Sequence, residues 1–209
     1  MRGSTLFSDL GPAGDVYGFE SWAVSGSESQ VGTSYTTAAL FTASGTGALP
    51  VTGIDLAVTE AIVSGGQPAQ SYTFYASLWT DSAGLPGAEV PGAYWSLSTT
   101  LPDASCCALV FVTNIMGVTL TGGQQYFMVL GPLSITDNSA TEWAWNSQGA
   151  TGVVLGSEDG GSTWTLGGSG NTLGAFDVLS TPEPATWPVL LALAGAGLWW
   201  WRLRQRSAA

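Results

Sequence analysis

Short runs in which apolar and polar residues alternate constrain this fold most. Every second side chain is apolar in residues 54–58 and 72–79, and 29 Gly and 10 Pro are scattered between such runs. A period of two places the apolar side chains on one face of a strand. Further alternating runs lie at residues 118–120, 126–130, 143–145 and 176–178. No window before residue 185 has a helical period, so we expect an all-β fold. An antiparallel two-sheet sandwich, jelly-roll-like or otherwise Greek-key, is the predicted architecture.

Two segments give more specific predictions. Residues 107–112 are apolar throughout, which favours a central strand covered on both faces. Residues 81–87 form a turn sequence in which Pro86 presets φ and Gly87 supplies a positive φ. We therefore expect a type II turn at Pro86 and Gly87.

Basic residues are confined to the two ends of the chain. Arg2 lies at one end and the other three arginines at positions 202, 204 and 206, while all fifteen carboxylates lie between Asp9 and Glu183. Nucleic-acid binding depends on Lys and Arg, so the body of the chain is not expected to bind nucleic acid. The same composition argues against phosphate-bearing cofactors.

The chain contains no histidine and two adjacent cysteines, Cys106 and Cys107. Without histidine no Ser-His-Asp or Cys-His nucleophile can be built, and we expect no enzyme activity, no cofactor and no metal centre. A structural Ca²⁺ held by loop aspartates stays open, although no motif supports it. For the cysteines we expect one buried and one exposed thiol, with a vicinal or intermolecular disulfide as the alternative.

The last part of the chain predicts a membrane span. Residues 187–201 carry no charge and reach roughly 20 Å as a helix, against about 30 Å for a bilayer core. Interfacial tryptophans and snorkelling arginines complete such a short span. These anchors are Trp187, Trp199, Trp200, Trp201, Arg202, Arg204 and Arg206. The positive-inside rule then places residues 202–209 in the cytoplasm and residues 1–186 on the other side.

A proline-containing tripeptide precedes this span. Pro182, Glu183 and Pro184, a short apolar helix and an arginine-rich end resemble the PEP-CTERM sorting signal of Gram-negative bacteria. The resemblance implies processing near the tripeptide by an exosortase-type enzyme. It also implies export, inner-membrane anchoring before processing, and then the cell surface or extracellular matrix. Residues 1–9 contain no apolar leader segment, so we expect a leader upstream of Met1.

The predicted domains are therefore a surface domain over residues 1–180 and a linker with the sorting motif over 181–186. The membrane helix (187–201) and a basic tail (202–209) follow. Within the surface domain, residues 5–11, 78–87 and 174–178 resemble a choice-of-anchor domain of the R type. That resemblance implies a β-sandwich on the bacterial surface.

One motif in the body resembles an Asp box. Residues 157–164 fit the pattern Ser-x-Asp-x-Gly-x-Thr-Trp, with the matching residues Ser157, Asp159, Gly161, Thr163 and Trp164. In sialidases the Asp box is a hairpin turn away from the active site and recurs once per propeller blade. Here there is one copy, so we expect a structural hairpin.

Three functional hypotheses follow. The first is an exported, non-enzymatic surface or matrix protein that contacts extracellular polysaccharide or other matrix components. The second is a carbohydrate-binding module that stacks sugars on Trp79, Trp143 or Trp145. The third is a glycoside hydrolase, which needs two carboxylates about 5–10 Å apart. No carboxylate lies in a recognisable catalytic motif, so we assign no catalytic residue. Glu158 and Asp159 belong to the Asp box, and Asp15, Glu20, Asp81 and Glu142 are expected at loops or strand ends.

Overall fold

The computed structural model describes residues 4–12, 15–18, 20–60, 62–63, 67–68, 73–99 and 107–180. These residues contain sixteen strands and no helix, so the predicted all-β class is confirmed. In chain order the strands are β1 Ser4–Ser8, β2 Ser21–Ser25, β3 Thr36–Thr42, β4 Ala48–Pro50, β5 Gly53–Glu60, β6 Ile62–Val63, β7 Gln67–Pro68, β8 Thr73–Ser82, β9 Leu85–Ser98, β10 Ala108–Thr113, β11 Thr119–Thr121, β12 Gln125–Gly131, β13 Ala140–Ala144, β14 Thr151–Ser157, β15 Thr165–Thr172 and β16 Phe176–Ser180.

Two six-stranded antiparallel sheets make up the body. In the first sheet the order is β1-β16-β5-β13-β2, and β10 also pairs with β5. In the second sheet the order is β15-β14-β3-β12-β8-β9. Strands β4 with β11, and β6 with β7, form two small additional pairs.

The inward-facing side chains of both sheets meet in one apolar core. Ile54, Leu56 and Val58 of β5 are completely buried, which confirms that they share the core face of one strand. Phe74 and Leu78 of β8 reach the same core from the second sheet. Burial of apolar surface on this scale is the main stabilising contribution to a fold of this kind.

Strand β10 was predicted to be a central strand covered on both faces, and the structure differs from this prediction. Val110 and Val112 face the core, but Phe111 between them is 56% exposed. Among the described residues β10 pairs with β5 alone, which makes it an edge strand there. An edge strand with one solvated face can carry an uninterrupted apolar run, because scattered exposed apolar residues are normal on protein surfaces.

The turn between β8 and β9 also differs from its prediction. Ala83 and Gly84 have positive φ values of 57° and 84°, the pattern of a two-residue type I′ hairpin. The Gly84 N–H donates to Asp81 Oδ1 at 2.9 Å, which ties the turn. Pro86 lies in β9 opposite Asp81, so the predicted type II turn at Pro86 is wrong.

No helix in the described part of the chain is long and apolar enough to cross a membrane. The predicted linker, membrane helix and basic tail, at residues 181–209, lie outside the described residues.

A buried carboxyl group holds the end of β1 against β16. Asp9 is 3% exposed, and its Oδ1 accepts the Phe176 N–H at 2.7 Å. Its other oxygen has no hydrogen-bond partner among the described residues. Desolvation raises the pKa of Asp9 to about 7, and the charge of the neighbouring Asp177 adds to the rise against the opposing Phe176 N–H. Asp9 therefore holds its proton in the folded protein at pH values where an exposed aspartate has lost it.

Replacing Asp9 by Asn should remove a pH dependence of stability. Because the folded pKa lies above the ordinary value of 3.8, the free energy of unfolding falls as pH rises from about 4 to about 7. Asp9→Asn keeps an acceptor for Phe176 and carries no charge. The difference in the free energy of unfolding, variant minus unmodified chain, should therefore increase by on the order of 4 kcal/mol from pH 4 to pH 8.

Denaturant unfolding at both pH values measures this difference. The exposed residue Asp15 supplies the matched control, since Asp15→Asn should follow the unmodified chain. An identical pH dependence for Asp9→Asn and the unmodified chain would contradict the account.

Candidate functional site

The Asp-box residues lie in the loop between β14 and β15. Asp159 Oδ1 accepts the Ser157 hydroxyl and the Thr163 N–H, both at 2.8 Å, and Oδ2 accepts the Thr163 hydroxyl at 2.7 Å. The Gly161 N–H donates to Ser157 Oγ at 2.8 Å. Gly160 and Gly161 have φ values of 71° and 91°, which glycine adopts without a steric cost. One carboxylate thus ties both ends of the loop.

These hydrogen bonds determine the charge state of Asp159. The hydroxyl of Thr163, then its N–H and the Ser157 hydroxyl, lower the pKa of Asp159 to about 2. Asp159 is therefore ionised at neutral pH, and both its oxygens are engaged within the hairpin. A group in this state cannot act as a general acid near neutral pH.

Trp164 covers apolar side chains on the outer face of the second sheet. It packs with Trp79, edge to face, with ring centroids 6.3 Å apart. Beneath them four side chains on this outer face are completely buried: Ala38, Phe127, Val129 and Leu155. Trp79 is further fixed by its indole N–H, which donates to Ser77 Oγ at 2.8 Å. Trp164 therefore anchors the hairpin loop to the outer face of the second sheet, which lies opposite the face that forms the sandwich core.

A cavity of about 590 Å³ opens between the two sheets beside the Asp-box loop. We call it the mouth cavity. It lies where β2, an end strand of the first sheet, faces β3, β14 and β15 of the second. Its lining includes Trp22, Tyr35, Thr37, Gly156, Glu158 and Thr165.

The aromatic wall of the mouth cavity is held in place by contacts from both sheets. The half-buried Trp22 donates its indole N–H to the Thr172 carbonyl at 2.9 Å, and its ring lies 5.3 Å from that of Trp145. The Thr37 hydroxyl donates to the Ala23 carbonyl at 2.9 Å. These bonds connect β2 to β15 and β3, so the position of the Trp22 ring is fixed.

The floor of the mouth cavity is a cross-strand row of small residues. Gly156 lies opposite Thr37 on one neighbouring strand and Thr165 on the other. A Cβ added at Gly156 would have no atom within 4 Å. The cavity is open at this point because the residue has no side chain.

The charge of the mouth cavity is negative. Glu158 is exposed at the cavity and Asp159 lies next to it in the lining. All four basic residues of the chain lie outside the described residues, so the described part carries no side-chain cation.

The tryptophans expected to stack sugars are not brought together. Trp143 is fully buried in the core, where its indole N–H donates to the Ala175 carbonyl at 3.2 Å, so its assignment as a stacking platform is wrong. Trp79 lies on the outer face of the second sheet and Trp145 next to Trp22; both are half-buried. The mouth cavity instead uses Trp22 and Tyr35, which the sequence did not single out as a pair. Trp22 lies two residues before the core residue Val24, and this spacing indicates that both side chains face the inside of the sandwich.

Cys107 is not the free thiol that was expected; it fits the alternative of a disulfide. It is 8% exposed and disulfide-bonded. The second cysteine of the chain, Cys106, lies outside the described residues. Cys107 has a φ of 73°, and its carbonyl accepts the Tyr17 hydroxyl at 3.1 Å.

The carboxylates expected at loops and strand ends have local hydrogen bonds or face solvent. Asp81 ties the β8–β9 hairpin, and Glu142 accepts the Ser21 hydroxyl. Asp15 and Glu20 are exposed. Within the described ranges no group of three or more Asp, Glu, Cys or His residues is arranged to hold a metal ion.

The candidate sorting residues and membrane anchors lie outside the described residues. These are Pro182, Glu183, Pro184, Trp187, Trp199, Trp200, Trp201, Arg202, Arg204 and Arg206. Comparison of the chain with protein-family models, curated proteins and solved structures finds no significant match.

Replacing Asp159 by Ala should loosen the hairpin. The substitution removes the acceptor for three hydrogen bonds from Ser157 and Thr163. We expect a melting temperature lower by roughly 5 °C and faster proteinase K cleavage between β14 and β15.

Glu158→Ala is the matched control, because Glu158 is exposed and adjacent but takes no part in these bonds. Equal melting temperatures for the two variants would show that Asp159 does not tie the hairpin.

Proposed function

We propose that this chain is an exported, non-enzymatic protein of the bacterial cell surface or extracellular matrix. It is sorted through a C-terminal PEP-CTERM signal and processed by an exosortase-type enzyme. The proposal is supported mainly by three features that follow one another along the tail. They are Pro182-Glu183-Pro184, fifteen uncharged residues bounded by tryptophans, and three arginines within five positions. Each feature alone is common, and their order along one tail is specific.

The physical role of each part of the tail follows from bilayer chemistry. Residues 187–201 form a short membrane helix, with Trp187 at one interface and Trp199 to Trp201 at the other. Arg202, Arg204 and Arg206 remain in the cytoplasm and stop transfer. The body is then held outside the inner membrane until it is processed.

Two properties of the body support an exported location. No Lys or Arg occurs between residues 3 and 201, so the body is anionic and depends on neutral polar residues for solubility. Cys107 is disulfide-bonded, and disulfides persist mainly in oxidising compartments outside the cytosol. We include a jelly-roll-like sandwich of the choice-of-anchor kind in this proposal. Its support is the two six-stranded antiparallel sheets, in which most neighbouring strands are not consecutive in the chain.

The glycoside hydrolase alternative has less support. Asp159 is ionised and engaged by Ser157 and Thr163, and Asp81 and Glu142 have hydrogen-bond roles of their own. The carbohydrate-binding alternative is favoured by one observation, the mouth cavity with its fixed aromatic wall.

Processing can be tested with the full chain fused behind a secretory leader in a Gram-negative host that carries an exosortase. Pro182→Ala combined with Pro184→Ala should block removal of the tail. We expect at least about tenfold less released body and retention in the inner membrane, measured by fractionation and mass spectrometry.

Thr181→Ala combined with Thr186→Ala is the matched control in the same linker and should be processed normally. Unmodified chain in a host without the exosortase should behave like the proline variant. Released chains that still carry the peptide around Arg206 would overturn the processing proposal.

A further inference from the structure

We infer that the mouth cavity binds one segment of an uncharged polysaccharide. The inference rests on the proposed function in one respect: the cell surface or matrix is where the protein would meet such a polymer. Binding itself depends on the cavity alone. It assigns the carbohydrate contact to Trp22 and Tyr35 instead of the tryptophans named from the sequence.

The size and rigidity of the cavity suit a ligand site. Its volume of about 590 Å³ falls within the range of roughly 300–1,000 Å³ typical of small-ligand pockets. Its walls are strands of both sheets, and the bond from Trp22 to Thr172 fixes the aromatic wall. A site held in this way loses little conformational entropy when a ligand binds.

The lining contains residues that match both surfaces of a sugar ring, the apolar C–H face and the polar hydroxyl groups. The C–H face of a pyranose packs against aromatic rings, and the cavity lining includes two aromatic residues, Trp22 and Tyr35. Sugar hydroxyls need acceptors and donors, which the exposed Thr165 hydroxyl and the Glu158 carboxylate supply. The missing side chain at Gly156 leaves room for the ring over the floor.

The charge of the cavity selects against acidic ligands. Asp159 is ionised with both oxygens engaged, and Glu158 adds a second carboxylate at the same cavity. The described part of the chain has no Lys or Arg to pair with a uronate, sulfate or phosphate group. An anionic sugar would lose hydration without gaining a partner. A cationic sugar would gain little from Glu158, because exposed ion pairs contribute weakly.

Binding can be measured on the purified full chain in octaethylene glycol dodecyl ether, a detergent without a sugar headgroup. The probes are neutral hexasaccharides of β-1,4-glucan, β-1,3-glucan, α-1,4-glucan and β-1,4-mannan. Hexagalacturonate and a chitosan hexamer are the charged counterparts. Tryptophan fluorescence and saturation-transfer NMR report binding. We expect at least one neutral probe to bind with a Kd below about 1 mM, and hexagalacturonate to bind at least about tenfold more weakly.

Gly156→Val is the decisive variant, because it fills the floor where the added Cβ meets no atom, in a strand that favours β-branched residues. We expect a loss of at least about tenfold in affinity with an unchanged melting temperature. Thr151→Val, on the same strand but exposed and outside the cavity lining, is the matched control and should bind normally.

Three results would overturn the inference: no neutral probe binds, the charged probes bind as well or better, or Gly156→Val binds like Thr151→Val. None of them bears on sorting, which the linker variants test separately. A failure of sorting would likewise leave the binding result intact.

Discussion

The aromatic contacts of Phe176 hold the two sheets together, and much of the remaining geometry depends on them. Phe176 stacks on Phe7 at 4.5 Å and contacts Phe41 and Trp143 at 5.5 Å each. Phe41 belongs to the second sheet and the other three residues to the first, so one side chain bridges both layers. Removing a buried aromatic ring costs about 3–5 kcal/mol, a large part of the 5–15 kcal/mol that typically stabilises a domain.

The position of Trp143 in this core determines the mouth cavity. Trp143 pairs in register with Trp22 on β2, so both side chains point to the same side of the first sheet. Trp143 is completely buried, and Trp22, one strand further out, reaches the end of the sandwich. The core ring and the cavity ring are therefore two ends of one cross-strand row. A sugar-stacking role for Trp143 conflicts with this arrangement, whereas Trp22 lines the mouth cavity.

Alternation in the sequence predicted which side chains face the core, but not where a strand lies within a sheet. Ile54, Leu56 and Val58 illustrate the success, because burial on one face depends only on the period of two. Phe111 illustrates the failure, since its apolar run cannot reveal that β10 pairs with β5 alone among the described residues. Likewise Pro86 marked a turn region, but the positive φ angles fell at Ala83 and Gly84, where the strand register closes the hairpin.

The candidate site was less accessible from sequence, because its parts come from distant segments. The Asp-box pattern located a loop and its hydrogen-bonding aspartate, since those contacts are local. The cavity beside it needs Trp22 of the first sheet to face Thr37 and Gly156 of the second, which no local pattern encodes. The burial of Asp9 is non-local in the same way, as its partner Phe176 lies 167 positions along the chain.

We propose that residues 1–180 fold without the tail, whose proposed role is sorting. The most direct measurement compares residues 1–180, produced alone, with the full chain in detergent. We expect residues 1–180 to keep the structured near-ultraviolet circular dichroism of a packed aromatic core, with a melting temperature within about 2 °C of the full chain. A collapsed near-ultraviolet spectrum for residues 1–180, or a much lower melting temperature, would contradict the account, because the body would then need its tail to fold.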